Sequence, residues 1–246
     1  MTKLTSLAVA ALCAAPTVAM IQPAQAGAAE SHELAMQYIQ INEIVSNKVQ
    51  QLSDSMGEPF AEYAAIELAS CLIMRDNILR ELSQETGLSD ADLQKMKDSQ
   101  AACQARNEPY ISTILETNTD DMPLTVQAAL IILNAGARPE DAEDADLVAK
   151  CCIVLLAKDF EITALLLNSI NDAKSADDVD NIIDMLDTHA TVLYPHLKSI
   201  APDMVEELVN MAGDSIQAIT ESLKTLKKAN YYGNSTLREY AQSRLD

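Results

Sequence analysis

Apolar residues recur at helical spacing along almost the whole chain, and no segment alternates strictly between apolar and polar positions. Spacings of three and four residues place side chains on one face of an α-helix. In residues 31–56, such a stripe consists of Leu34, Tyr38, Ile41, Val45, Leu52 and Met56. The pattern therefore predicts an all-α protein.

Proline, glycine and capping residues divide this pattern into about eight or nine helices. Ser31 and Ser89 are suited to cap helix N-termini, and Gly57 and Gly87 are suited to end helices. Pro109 is expected to kink or divide the third helix. Further stripes occupy residues 59–86, 89–115, 123–136, 139–156, 162–170, 176–199 and 204–229. The predicted fold is an irregular multi-helix bundle, with a short α-solenoid of stacked helical hairpins as the alternative.

Residues 1–26 have the parts of a secretory signal peptide. Lys3 supplies a positive start, residues 4–20 are apolar, and Ala24-Gln25-Ala26 has the small-x-small form that signal peptidase recognises. Cleavage is expected after Ala26. The mature protein is then expected in the periplasm or outside the cell.

The mature chain, residues 27–246, is predicted to form a single helical domain. Two sub-bundles, residues 27–119 and 120–246, are the alternative organisation. No segment after residue 26 approaches the roughly twenty uninterrupted apolar residues that a membrane span needs. We therefore expect no membrane span after signal cleavage.

Charge limits the expected partners. The chain carries 17 Lys and Arg residues against 37 Asp and Glu residues, a formal charge of −20. Binding to nucleic acid depends on Lys and Arg displacing counterions, so nucleic acid is excluded as an expected partner. Acidity of this degree is consistent with solubility outside the cytoplasm, with cation binding and with docking to a basic protein, and it selects none of these. A protein partner is expected, with a basic one among the open alternatives.

The C-terminal segment differs from the rest of the chain in being basic and rich in tyrosine. Tyr and Arg are favoured at protein interfaces, so this segment is a candidate interaction surface. The alternative is a solvated helix end whose lysines complement the helix dipole. The candidate residues are Lys227, Lys228, Tyr231, Tyr232, Arg238 and Tyr240.

Four cysteines follow the signal peptide, and an even number in an oxidising compartment favours disulfides. Cys71 lies sixteen residues before Gly87 and Cys103 lies sixteen after it. In an antiparallel hairpin turning at that glycine, the two cysteines stand at the same height. We therefore predict a Cys71–Cys103 disulfide. The rival is pairing of both with the adjacent Cys151 and Cys152.

His189 and His196 lie on one apolar seam with Leu193 between them. On an unbroken helix they are about 10 Å apart, which is too far to share one metal ion. One interpretation is that each imidazole packs in the core and bonds to a carbonyl or carboxylate oxygen. The other is that the seam binds a metal or cofactor.

Recognisable catalytic motifs are absent from the sequence, which contains no HExxH, GxSxG, SxxK or glycine-rich phosphate loop. The leading hypothesis is an exported, acidic, non-enzymatic binding or scaffold protein of a bacterial cell envelope that needs no cofactor. A metal- or cofactor-binding bundle that uses His189 and His196 is the alternative. A hydrolase whose site has no sequence motif also stays open.

Overall fold

The computed structural model describes residues 23–85, 87–117, 122–170 and 189–228. These residues form seven α-helices and no strand, which confirms the predicted all-α, multi-helix fold. None of the described helices is both long enough and apolar enough to cross a membrane. The helices are α1 (Pro23–Asp54), α2 (Ala61–Gln84), α3 (Asp90–Leu115), α4 (Leu124–Ala135), α5 (Ala142–Ile170), α6 (described over residues 189–200) and α7 (Val205–Lys228), with a 3-10 turn at Pro202–Met204.

Neither of two predicted interruptions divides its helix. Residues 139–156 and 162–170 were predicted as separate helices, but α5 runs unbroken because no glycine or proline separates them. Helix α3 likewise continues through Pro109 as one element. The described residues therefore form fewer and longer helices than predicted.

The predicted helix ends are correct at two positions and wrong at two others. Ser89 accepts a hydrogen bond from the Asp92 amide and caps α3, and Gly57 follows α1 with φ +84°. Ser31, however, is a buried residue inside α1, which begins at Pro23. Gly87 does not cap α2, because the helix already ends at Gln84 and the next residue, Glu85, is extended.

Helix α1 packs against both α2 and α3, whereas α2 and α3 each make their extended contact with α1 rather than with each other. Contacts of Ser31 with Glu85 and of Lys48 with Glu67 show that α1 and α2 are antiparallel. Helix α3 runs parallel to α1. Further extended packing joins α2 to α4, α4 to α5, α2 to α5, and α5 to α7.

One contiguous apolar core contains side chains from all seven helices. Helix α5 contributes Ile153, Leu155, Leu156 and Phe160, which are among the largest fully buried side chains of the protein. A smaller core lies between the middle of α1, the start of α3 and the end of α2, and it is formed by Ala35, Tyr38, Ile41, Leu82 and Met96.

The predicted Cys71–Cys103 disulfide is wrong, because both cysteines are free thiols. The predicted heights of the two cysteines along the helix bundle are nearly right. The α1–α2 contacts place Cys71 level with residue 45 of α1, and Cys103 contacts Ser46 of the same helix. The error lies in the packing. Since α1 packs against both helices, Cys103 faces α1, where the Ser46 hydroxyl donates to its Sγ at 3.3 Å.

The thiols provide a direct check of this arrangement. Burial raises the pKa of Cys71 and Cys151 to about 11 and that of Cys152 to about 12, which disfavours the reactive thiolate. We expect the mature chain, unfolded without reductant, to titrate as four thiols. A measurement of two thiols would mean that a disulfide forms and that the helix packing is different.

Candidate functional site

His189 lies at the described start of α6, and its side chain is buried against α5. Its Nδ1 atom is 3.2 Å from Oδ1 of Asp159, whose side chain is also buried. Asp159 is held on α5, where the Thr163 hydroxyl donates to its backbone carbonyl at 2.6 Å. A carboxylate in this position fixes the orientation and tautomer of an imidazole.

Tyr63 of α2 completes this cluster. Its ring meets the His189 ring edge to face, with 5.4 Å between the centroids, and it also contacts Phe60 at 5.3 Å. Burial, with the negative charges of Glu67 and Asp159, raises the pKa of Tyr63 above its ordinary value, so the phenol stays protonated. We call Tyr63, Asp159 and His189 the polar cluster.

The polar cluster is bordered by a further set of contacts that joins three helices. Glu62 of α2 pairs with Lys158 of α5 at 3.2 Å and accepts a hydrogen bond from Thr125 of α4 at 3.3 Å. An arrangement of this kind fixes the relative positions of α2, α4, α5 and α6.

His196 has a different partner from His189. Its Nε2 atom lies 2.8 Å from the Ala137 carbonyl, and because a carbonyl only accepts, Nε2 carries the hydrogen. Ala137 follows Gly136, which ends α4 with φ +83°. Burial lowers the pKa of His196 below its ordinary value, although the Ala137 carbonyl opposes this shift. Both seam histidines therefore bond to oxygen atoms inside the protein.

The lowered pKa of His196 predicts a loss of stability in mild acid. An unfolded histidine titrates at about pH 6.5, so as pH falls below that value the unfolded chain binds a proton that the folded chain resists. Neutral His196 contributes to the free energy of unfolding above about pH 6.5. This contribution is lost as pH falls through the pKa that His196 has in the folded protein. Urea unfolding at a series of pH values measures this loss. A His196→Gln variant should lose less unfolding free energy over the same pH range. If the variant and the wild type lost the same unfolding free energy per pH unit, His196 would not be the cause of the loss.

Metal ligands are not grouped in the part of the chain that the structure describes: no cluster of three or more His, Cys, Asp or Glu side chains there is arranged to hold a metal ion. The acidic residues that begin α5 are instead exposed. Asp141 accepts hydrogen bonds from the backbone amides of Glu143 and Asp144 at 2.8 and 3.4 Å. It therefore caps the helix.

A second candidate site is an acidic surface near the starts of α5 and α7, two helices that pack side by side. The negative charge of Glu207 on α7 helps to raise the pKa of Lys150 on α5, so the two residues are near each other. The Ser222 hydroxyl of α7 donates a hydrogen bond to the Asn168 side chain of α5. The two helices are therefore parallel, and these contacts place the start of α7 level with residues 148–151 of α5, about two turns beyond the start of α5. We call this the acidic surface; its exposed members are Asp141, Glu143, Asp144, Asp146, Glu206 and Glu207.

Apolar side chains interrupt the acidic surface. Leu147 of α5 is 41% exposed and Met211 of α7 is 55% exposed, although neighbouring Val148 and Leu208 are fully buried. Lys150, the basic residue nearest to them on α5, is neutralised by Asp146 at 2.6 Å. The surface thus presents negative charge together with apolar contact area.

The interaction surface predicted near the C-terminus lies largely beyond the described residues. Lys227 and Lys228 are the last residues of α7, but the placement of their side chains is not described. Tyr231, Tyr232, Arg238 and Tyr240 lie outside the described residues altogether. This candidate therefore stays a prediction.

Sequence reasoning identified both histidines but missed Asp159 and Tyr63, the neighbours of His189 on other helices. Comparisons of the chain with models of protein families, with curated proteins and with solved structures find no significant match.

Proposed function

We propose that this chain is an exported, non-enzymatic binding or scaffold protein of a bacterial cell envelope. We further propose that it contacts a basic protein partner through the acidic surface. The observation that carries this proposal is the mixture of exposed acidic and apolar side chains where α5 and α7 begin, including Leu147 and Met211.

Each part of this mixture has a distinct role in binding. Acidic side chains steer a basic partner and select against acidic ones, whereas apolar contact area supplies affinity once water is excluded. Acidic residues in the first turns of helices also complement the helix dipole, and Asp141 has that role. The dipole does not account for exposed leucine and methionine at the same place.

The histidine contacts support a binding protein over a metal-dependent one. His189 is engaged by Asp159, and His196 is engaged by the Ala137 carbonyl. Both side chains are buried and join α6 to neighbouring parts of the fold. Their contacts are those of residues that stabilise packing.

Export is supported by the signal-peptide pattern of residues 1–26. The cysteines are compatible with it, because burial keeps Cys71, Cys151 and Cys152 protonated. Protonated, buried thiols are poorly reactive toward oxidants. Free cysteines of this kind can persist in an oxidising compartment.

Site-specific photo-crosslinking in cells tests the proposed surface. A photoreactive amino acid is placed at Leu147 or at Met211, and at Leu93 as a control, because Leu93 is also exposed but lies on α3. We expect both surface positions to capture the same basic protein and Leu93 to capture none.

Charge reversal sharpens this experiment. Glu143→Lys and Glu207→Lys substitutions should reduce the crosslinks at Leu147 and Met211, because both carboxylates are exposed and belong to the acidic surface. Failure to crosslink at either surface position would contradict the proposal. Capture of the same protein from Leu93 at equal yield would contradict it as well.

A further inference from the structure

Helix α5 passes the first turns of α2 and α4 and continues beyond them. Glu62 of α2 contacts both Lys158 of α5 and Thr125 of α4, so these three positions share one level of the bundle. From Lys158, α5 extends to Ile170, about 18 Å further along its axis. The first turns of α2 and α4 therefore form a floor, and the last turns of α5 form a wall beside it.

Each part of this arrangement has an exposed apolar side chain. Phe60, which directly precedes α2, is 44% exposed, and Leu124, the first residue of α4, is 69% exposed. Leu165 of α5 is 63% exposed. It follows Lys158 by seven residues, which is close to two helical turns, and so it lies on the same face of α5, above the floor. We call Phe60, Leu124 and Leu165 the apolar corner.

The surroundings of the apolar corner are acidic. Glu58 and Glu161 are exposed beside it. Lys158 is the basic residue at the floor, and it is neutralised by Glu62 at 3.2 Å and Glu161 at 3.1 Å. Grouped exposed apolar side chains mark contact surfaces, whereas single ones need no explanation. This corner is therefore suited to a segment that brings apolar side chains together with a basic group.

A segment of this kind follows α7 in the sequence, and it is long enough to reach the corner. The contact of Ser222 with Asn168 places Lys228 about 9 Å beyond the level of Asn168 on α5. From Lys228, the distance back along the axis is about 14 Å to Leu165 and about 24 Å to Lys158. Residues 229–246 span about 60 Å when extended.

We propose that residues 229–246, which lie outside the described residues, fold back onto the apolar corner of their own chain. Leu237 and Tyr240 follow the end of α7 at a distance sufficient to reach the floor, and they supply the apolar contact area. Arg238 lies between them and is suited to pair with Glu161. The apolar corner is near the end of α5, whereas the acidic surface is near its start, so this inference does not depend on the proposed function.

Site-specific photo-crosslinking of the purified mature chain tests this docking. A photoreactive amino acid replaces Leu124 or Leu165, and mass spectrometry identifies the captured peptides. We expect both positions to capture peptides from residues 229–246. Leu79 is the control position, because it is also exposed on α2 but lies near the opposite end of that helix. It should not capture this segment.

A mixture of 15N-labelled and unlabelled chains distinguishes docking within one chain from docking between two copies. Crosslinks within a chain join peptides of the same label, whereas crosslinks between copies also give mixed pairs. We expect same-label pairs only.

Substitutions in the segment test which side chains hold it. Leu237→Ser combined with Tyr240→Ser should reduce the crosslink yield at Leu124 and Leu165 at least about fivefold, because two apolar contacts are lost. Gln242→Ala, a change at a nearby polar residue, should leave the yield unchanged. All three substitutions lie beyond α7, so they alter no contact of the described core.

Four results would overturn the proposal. They are failure to capture residues 229–246 from both corner positions, equal capture of that segment from Leu79, a random mixture of label pairs, and an unchanged yield in the double variant. Capture of residues 171–188 in place of residues 229–246 counts as the first of these. Crosslinks from Leu147 and Met211 report on the acidic surface, so the two proposals can fail separately.

Discussion

Replacing His189 by leucine is expected to lower the free energy of unfolding by about 3–5 kcal/mol, as removal of one member of a buried pair does. The side chains of His189 and Asp159 are 6% and 1% exposed. Asp159 Oδ2 already accepts no hydrogen bond from the described residues. Loss of the imidazole therefore leaves both oxygen atoms of a buried carboxyl group without a side-chain partner. Urea unfolding followed by circular dichroism measures the effect.

A double replacement distinguishes the lost pair from lost packing. His189→Leu combined with Asp159→Leu removes the unpaired carboxyl group and should recover much of the stability, because hydrophobic residues often replace a buried pair at little cost. A single His189→Leu variant that melts like the wild type but no longer binds a metal or ligand would contradict the structural role of His189.

Replacing Phe160 by alanine is expected to cost about 3–5 kcal/mol of unfolding free energy. Phe160 is fully buried on α5, and α5 contacts α2, α4 and α7. The variant loses the transfer free energy of a large ring, and the surrounding helices can close the resulting cavity only in part.

Leu165→Ala is the matched control for this experiment. Leu165 lies on the same helix but is 63% exposed, so its replacement should change stability by no more than about 0.5 kcal/mol. If the two variants lost equal stability, α5 would not have the central position that the structure gives it.

Helical periodicity was sufficient to predict the fold class, because each stripe marks the face that a helix buries. It does not specify which helix lies against that face. The Cys71–Cys103 prediction shows this limit: the two residues stand at similar heights, yet both α2 and α3 pack mainly against α1. Such neighbours are decided by tertiary packing.

The polar cluster left a partial signal in the sequence. Asp159 and Thr163 continue an apolar stripe of α5 that contains Leu156 and Leu167, and polar residues on such a stripe require internal partners. The partner of Asp159 could not be predicted, because His189 is thirty residues away in the chain. Only the fold brings α5 and α6 together.

The polar contacts between α1 and α3 left a similar signal in the sequence. Asn42 and Ser46 are buried beside Ile41 and Val45 of the α1 stripe, and their spacing of four residues places them on one face. Their use as a polar interface depends on Ser99 and Cys103 of α3. No local pattern reveals that pairing.

Export is the part of the proposed function that a single measurement tests most directly. The full chain is expressed in a bacterial host, recovered from the periplasmic fraction, and its N-terminus is sequenced. We predict a chain that starts at Gly27, because Ala24-Gln25-Ala26 is the expected cleavage site. An unprocessed chain that starts at Met1 and stays in the cytoplasm, or a mature chain that starts at a lipid-modified Cys13, would contradict it.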